Sequence, residues 1–217
     1  WFPEESTIFN VIQRNTGNVK QVKAPPFFVF HFINAFERGD SVCIDAALYD
    51  DPEIVASLTL DNLEAFPGTD LPQSRVVRIT LPLGESDRAI CETVVEPSTH
   101  GFFTDLPTVN PAYSGQPYRY AYSTAAKRPT NVNNALAKMD LDAGTAITWH
   151  EEGCTVQEPY FVAKPGASGE DDGVVLSVVN DDKGDGFLLV LDAKSFKEVA
   201  RAQLPGGMPY HFHGTFL

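Results

Sequence analysis

The sequence predicts an all-β protein, and three observations carry that expectation. Apolar runs are short and rich in Val, Ile, Phe and Thr, and Gly, Pro, Asn and Asp interrupt them. Toward the C-terminus the turn signals recur about every 8–12 residues, the rhythm of antiparallel meanders. Such a pattern suits a sandwich, a barrel or a propeller equally, and no Gly-His/Trp-Asp repeat singles out the last.

The elements follow in order. TIFNVIQR (7–14) reads as a strand ended by a turn at Thr16–Gly17–Asn18. FFVFHFINAF (27–36) is a long apolar strand entered through Pro25–Pro26, and GDSVCIDAALYDD (39–51) gives a turn and a further strand. Asp51 as cap, Pro52 at the first helical position and the partial 3.6-residue spacing of Ile54, Val55, Leu58 and Leu63 predict a helix. SRVVRITLPL (74–83) alternates as a strand buried on one face should. STAAKRPTNVNNA (123–135) reads as loop. NNALAKMDLDAG (133–144) admits a helix or a strand. The strand is preferred because AITWHEEG follows a turn at Asp142–Gly144 and can pair back. VVLSVV and FLLVLD form a hairpin across a Gly/Asp-rich turn, and KEVARAQL adds a third strand. No linker divides the chain, so residues 1–217 read as a single piece.

Composition narrows the function. With 43% hydrophobic and 21% charged residues the chain can bury a substantial core. A net charge of −13 without any Lys/Arg-rich block argues against nucleic acid and anionic headgroups as partners, while leaving room for a neutral, apolar ligand. Cys43, Cys91 and Cys154 are odd in number and contain no CxxC pair, which points to a reducing compartment rather than a disulfide scaffold. No apolar run is long enough to span a membrane and no leader is visible. The chain begins at Trp1, so the start of the natural protein is expected to lie upstream.

Few motifs carry chemistry. A Gly-rich phosphate loop, a GxSxG elbow and an HExxH pair are all missing. DDKGDG (181–186) places Asp181, Asp185, Gly186 and Asp192 at calcium-loop positions, but Lys183 occupies a ligand position and strands flank the loop, so a hairpin turn is the reading. The histidines are His31, His100, His150, His211 and His213. His31 lies inside an apolar run, where an unpaired imidazole would cost roughly 1–3 kcal/mol. In an extended backbone His211 and His213 would share a face. Residue pattern alone leaves each as a core histidine or as half of a metal site.

Four blocks resemble one family. FFVFHFINAFERGD, DLPTVNPAYSGQPYRYAY (105–122), EPYFVAKPGASGEDDGVVLSVV (158–179) and FLLVLDAKSFKEVARAQLP…FHGTF are similar, in order, to blocks of the carotenoid cleavage oxygenases. FHFINAFE, RPTNVNNALAKMDL and WHEEG look most like the plant and algal branch that acts on apocarotenoids and makes carlactone. The resemblance implies the C-terminal portion of a seven-bladed β-propeller with minor helical insertions, the remaining N-terminal blades preceding residue 1. It implies Fe(2+) held by four neutral histidines, of which His31 and His213 match here. Glu158 matches the carboxylate that orients the last histidine, and Asp105 the one that orients His31. Aspartate stands where most of the family has glutamate, so the bond to His31 is expected to be strained or water-mediated. His211 departs from the family and is read as a bystander.

The implied activity is oxidative cleavage by O2 of a conjugated double bond in a carotenoid or apocarotenoid, giving two carbonyl products. A plastid location and peripheral membrane contact follow as further expectations of the resemblance. Two alternatives remain at this point: a catalytically silent propeller piece serving as a binding or assembly subunit, and a dioxygenase cleaving stilbene-type alkenes. The aromatics Phe28, Phe30, Phe32, Phe36, Phe102, Phe103 and Tyr113 stay open between core and substrate tunnel.

Overall fold

The structure, a computed structural model, describes residues 1–64, 71–101, 103–127, 130 and 132–216. Strands β1 (Thr7–Ile12) and β2 (Val19–Ala24) form a hairpin. Strands β3 (Phe28–Glu37), β4 (Ser41–Tyr49), β5 (Arg75–Pro82) and β6 (Ile90–Val95) follow as an antiparallel meander. A second meander runs through β7 (Thr104–Val109), β8 (Tyr120–Ala125), β9 (Ala135–Asp140) and β10 (Thr145–His150). In the third sheet β11 (Thr155–Val156) and β12 (Tyr160–Ala163) both pair with β13 (Gly173–Asn180), which continues into β14 (Gly186–Asp192) and β15 (Glu198–Gln203). Helices α1 (Glu53–Ser57), α2 (Leu60–Glu64) and α3 (Pro97–His100) are short insertions. The all-β expectation holds, and four-stranded meanders of this kind are the repeating unit of propeller blades.

The sheets are held by the apolar faces between them. Val22 of β2 meets Leu48, Val77, Ile79 and Leu81 of the first meander. The opposite face of that meander, with Ile33, Phe36, Cys43 and Val76, packs on Tyr118, Ala121 and Met139 beside the second. Tyr122 and Leu136 of the second meander meet Phe161, Val175, Leu189 and Leu191 of the third sheet. Tyr122 and Phe161 stack with ring centroids 5.7 Å apart. The strands β3, β7 and β12 contact one another in turn, so the entry strands of the three sheets converge along one line.

Three local expectations change. β5 was expected to bury one face, but Val76, Val77, Arg78 and Ile79 are all buried. The strand is covered on one side by the β1–β2 hairpin and on the other by the second meander, and a strand covered on both faces loses its alternation. The predicted helix starts one residue late and divides in two. Asp51 Oδ1 accepts from Glu53 N at 2.9 Å while Pro52 occupies the cap position itself. The helix breaks at Leu58 (φ −78°, ψ 56°) and restarts where Thr59 Oγ1 accepts from Asn62 N. Finally, the stretch read as loop over 123–135 still belongs to β8 as far as Ala125, and β9 begins at Ala135.

Candidate metal centre

His31 is aimed by a backbone irregularity. On β3, Val29 opposes Leu48 and Phe32 opposes Ala46, so Phe30 and His31 together face the single residue Ala47. An extra residue of this sort bends a strand and redirects a side chain. β7 carries a second bulge. Asp105 opposes Thr124 and Thr108 opposes Tyr122, leaving Leu106 and Pro107 across from Ser123. Leu106 takes the left-handed conformation, with φ +48°. That turn swings its N–H onto Asp105 Oδ1 at 2.9 Å, and the same oxygen accepts from His31 Nδ1 at 2.6 Å. Thr124 Oγ1 donates to the Asp105 carbonyl at 2.9 Å and fixes the backbone beneath it.

Of the two forms expected for the Asp105–His31 bond, strained or water-bridged, the water-bridged one is corrected. The contact is direct and short, and it sits beside the β7 bulge and the left-handed Leu106. The Asp105 carboxylate holds the His31 imidazolium above the usual histidine range, against an opposing effect of partial burial.

His213 reaches the same place from the C-terminal segment 205–216, which enters no strand. The ordinary aromatic strand that PYHFHGTF could have formed is not present. Glu158, in the link between β11 and β12, holds the segment at two points. Its Oε1 accepts from His213 Nδ1 at 2.9 Å and its Oε2 from Gly214 N at 2.8 Å. The two imidazoles then face one another, with Nε2 atoms 3.3 Å apart and ring planes at 72°.

This arrangement dictates its own chemistry. Both Nδ1 atoms point at carboxylates, so the proton belongs on Nδ1 of each ring and each Nε2 presents a lone pair. Two lone pairs at this separation repel unless a proton or a metal cation lies between them. Two imidazole–metal bonds of about 2.1 Å, meeting at right to tetrahedral angles, would set the nitrogens about 3.0–3.4 Å apart. The observed 3.3 Å lies inside that interval. His31 and His213 could thus hold one metal ion, with Asp105 and Glu158 fixing tautomer and ring direction. Among the described residues no group of three or more His, Cys, Asp or Glu side chains is placed to hold a metal. His150 Nδ1 is bonded to the Asn134 carbonyl at 2.8 Å, and His211 Nδ1 and both nitrogens of His100 are buried without a partner in another described residue.

An aromatic wall adjoins His31. The rings of Phe28 and Phe30 meet edge to face at 4.9 Å, and Tyr49 lies 6.0 Å from Phe30 and 6.4 Å from Phe103. Phe28 and Phe103 pack on the buried cluster of Tyr49, Ile54 and Leu71. Phe30 and Phe32 remain 37% and 52% exposed, unlike Phe36, which is core. Tyr113 packs at the edge of the Phe36 cluster. Phe102 lies outside the described residues. Sequence reasoning missed Leu106, Thr124 and the Gly214 N–H; only the Leu106–Pro107 pair, awkward in a regular strand, signalled the bulge.

Antiparallel meanders in which β3 and the C-terminal segment bring two carboxylate-bound imidazoles face to face define a β-rich protein with a histidine pair that could hold a metal. The comparisons with known proteins make the class specific. The family described as RPE65, retinal pigment epithelial membrane protein, matches residues 1–217. Carotenoid cleavage dioxygenase 8 homolog A, chloroplastic, of Oryza sativa subsp. japonica is 45% identical, over 100% of this chain and 40% of its own length. Carotenoid cleavage dioxygenase 8, chloroplastic, of Arabidopsis thaliana is 41% identical, over 100% of this chain and 40% of its own. The crystal structure of cobalt-substituted Synechocystis ACO superimposes with a TM-score of 0.83 at 27% identity, over 98% of this chain and 44% of that one. An ACO/RPE65 chimera gives 0.82 at 28% identity, over 97% and 44%. The chain belongs to the RPE65 family, the carotenoid cleavage oxygenases. It spans about 40% of the length of these curated relatives.

Proposed function

We propose that this chain is the C-terminal portion of a non-haem Fe(II)-dependent dioxygenase that cleaves a conjugated double bond of an apocarotenoid. In this reading His31 and His213 are two of four imidazole ligands, and the other two come from N-terminal blades of the same seven-bladed propeller. The single observation that carries the reading is the opposed pair of Nε2 atoms, each ring anchored through Nδ1 to its own carboxylate. A ferrous ion held by neutral imidazoles supplies activation of O2 beside the alkene, which leaves as two carbonyls.

The residues of this chain do the rest. Asp105 and Glu158 keep the Nδ1 protons in place, so the ligand nitrogens stay neutral and correctly turned. Phe28 and Phe30, backed by Tyr49 and Phe103, offer apolar rings on the strand that carries His31, a surface that suits a polyene. Relatives named carotenoid cleavage dioxygenase 8, chloroplastic, support a carotenoid-type substrate and a plastid location.

The test is product analysis with the full-length protein, Fe(II), O2 and an apocarotenoid. Two carbonyl fragments are expected, and their formation should disappear in His31→Ala and His213→Ala. Turnover of a stilbene but not of the apocarotenoid would move the substrate class. No turnover and no metal uptake would favour a silent binding subunit.

A further inference from the structure

The segment that carries His213 needs another anchor besides Glu158. Residues 205–216 join no sheet and are mostly exposed, so a backbone ladder does not set their course. The side chains that grip them come from the end of β13, the β11–β12 link and the loop before β9. Asn180, the last residue of β13, donates from Nδ2 to the Met208 carbonyl at 2.7 Å and accepts from Met208 N at 3.1 Å. Gln157 Nε2 donates to the Pro209 carbonyl at 3.3 Å, and Asn133 Nδ2 to the Tyr210 hydroxyl at 2.9 Å. Asn180 alone among these three holds both polar groups of one residue, as a paired strand would.

The hairpin that follows Asn180 is shaped to receive the segment. Asp181 Oδ1 accepts from Lys183 N and Asp185 N, both at 2.9 Å, so its carboxylate is committed to the turn. The segment then crosses at glycines. A Cβ on Gly186 would meet Gly206 O at 3.1 Å and Met208 N at 3.3 Å, and one on Gly207 would collide with the Gly184 carbonyl. The acidic stretch that imitates a calcium loop is thus a saddle over which the chain passes five to seven residues before His213.

We propose that Asn180 and the 181–186 hairpin are positioning elements for His213: they fix the height and direction at which the segment leaves the third sheet, and so the approach of the imidazole to His31. This rests on the reading of His213 as a metal ligand. A loosened segment would still bring the ring near Glu158, but it would have to lose freedom when the metal binds, which weakens affinity. Asparagine suits the task because its amide donates and accepts together; aspartate keeps only the bond from Met208 N, and alanine keeps neither.

The experiment measures Co(II) affinity by chelator competition, and the thermal midpoint of the metal-free protein, for full-length Asn180→Ala, Asn180→Asp, Gly207→Val and His213→Ala. Asn180→Ala and Gly207→Val should weaken Co(II) binding about tenfold, the scale seen when partners behind a metal ligand are lost, with the metal-free midpoint little changed. Asn180→Asp should fall between Asn180→Ala and the unsubstituted protein. Unchanged Co(II) affinity in Asn180→Ala alongside its loss in His213→Ala would overturn the positioning role while leaving the ligand reading intact. So would a lowered metal-free midpoint with unchanged affinity in the folded fraction. Unchanged affinity in His213→Ala would remove the reading underneath.

Discussion

At Asp105 a short carboxylate reaches a histidine directly from a bulged strand. The carboxylate lies 2.6 Å from His31 Nδ1 next to the left-handed Leu106, a direct bond where the shorter side chain had suggested strain or a bridging water. Asp105→Asn keeps the shape and removes the charge, so metal affinity of the full-length protein should fall about 10–100-fold, as measured by chelator competition. An unchanged affinity would mean that the carboxylate only packs against the ring. His100 offers a second test at this scale. It is fully buried without a hydrogen bond to another described residue, and burial pushes its pKa down to about 4 from 6.5. The folded state therefore keeps this ring neutral while the unfolded chain takes up a proton, so stability is complete above pH 6.5 and drains away toward pH 4. A lowering of that size is worth on the order of 3 kcal/mol. His100→Leu should flatten the acid limb of stability against pH in urea titrations, and an unaltered limb would contradict this.

Among the elements, legibility tracked how local the determining interactions are. The β13–β14–β15 meander was readable because its hairpin turn and apolar runs are contiguous in sequence. β7 and β8 were not, because Pro107, Pro111 and Pro117 interrupt the stretch; the first sits in the bulge, where no ladder bond is needed. The double burial of β5 depends on neighbours remote in sequence, and so does the ion pair inside it. Arg78 Nε and Nη2 each donate at 2.8 Å to Asp45, and Tyr118 Oη donates to the same carboxylate at 2.7 Å. That triad fastens β4 and β5 to the second meander and carries β3, hence His31, with them. Asp45→Ala leaves a guanidinium buried and unpaired, which should cost about 3–5 kcal/mol in equilibrium unfolding. A loss under 1 kcal/mol would show that water reaches Arg78.

For the whole molecule, the sequence made the all-β class legible through its turn rhythm, and resemblance pointed to His31, His213, Asp105 and Glu158 together. Spacing could not have done so, since the members of each pair lie 74 and 55 residues apart and meet only where β3, β7 and the β11–β12 link converge. The segment holding His213 was unreadable as non-strand because its anchors are single side chains on distant strands. The claim on which the rest depends is that these two imidazoles grip one ion. The direct measurement is metal content of the full-length protein and of its His31→Ala and His213→Ala variants after loading with Fe(II) without oxygen and gel filtration. Stoichiometric iron in the unsubstituted protein and loss from both folded variants is the predicted result; full retention by either one would contradict it.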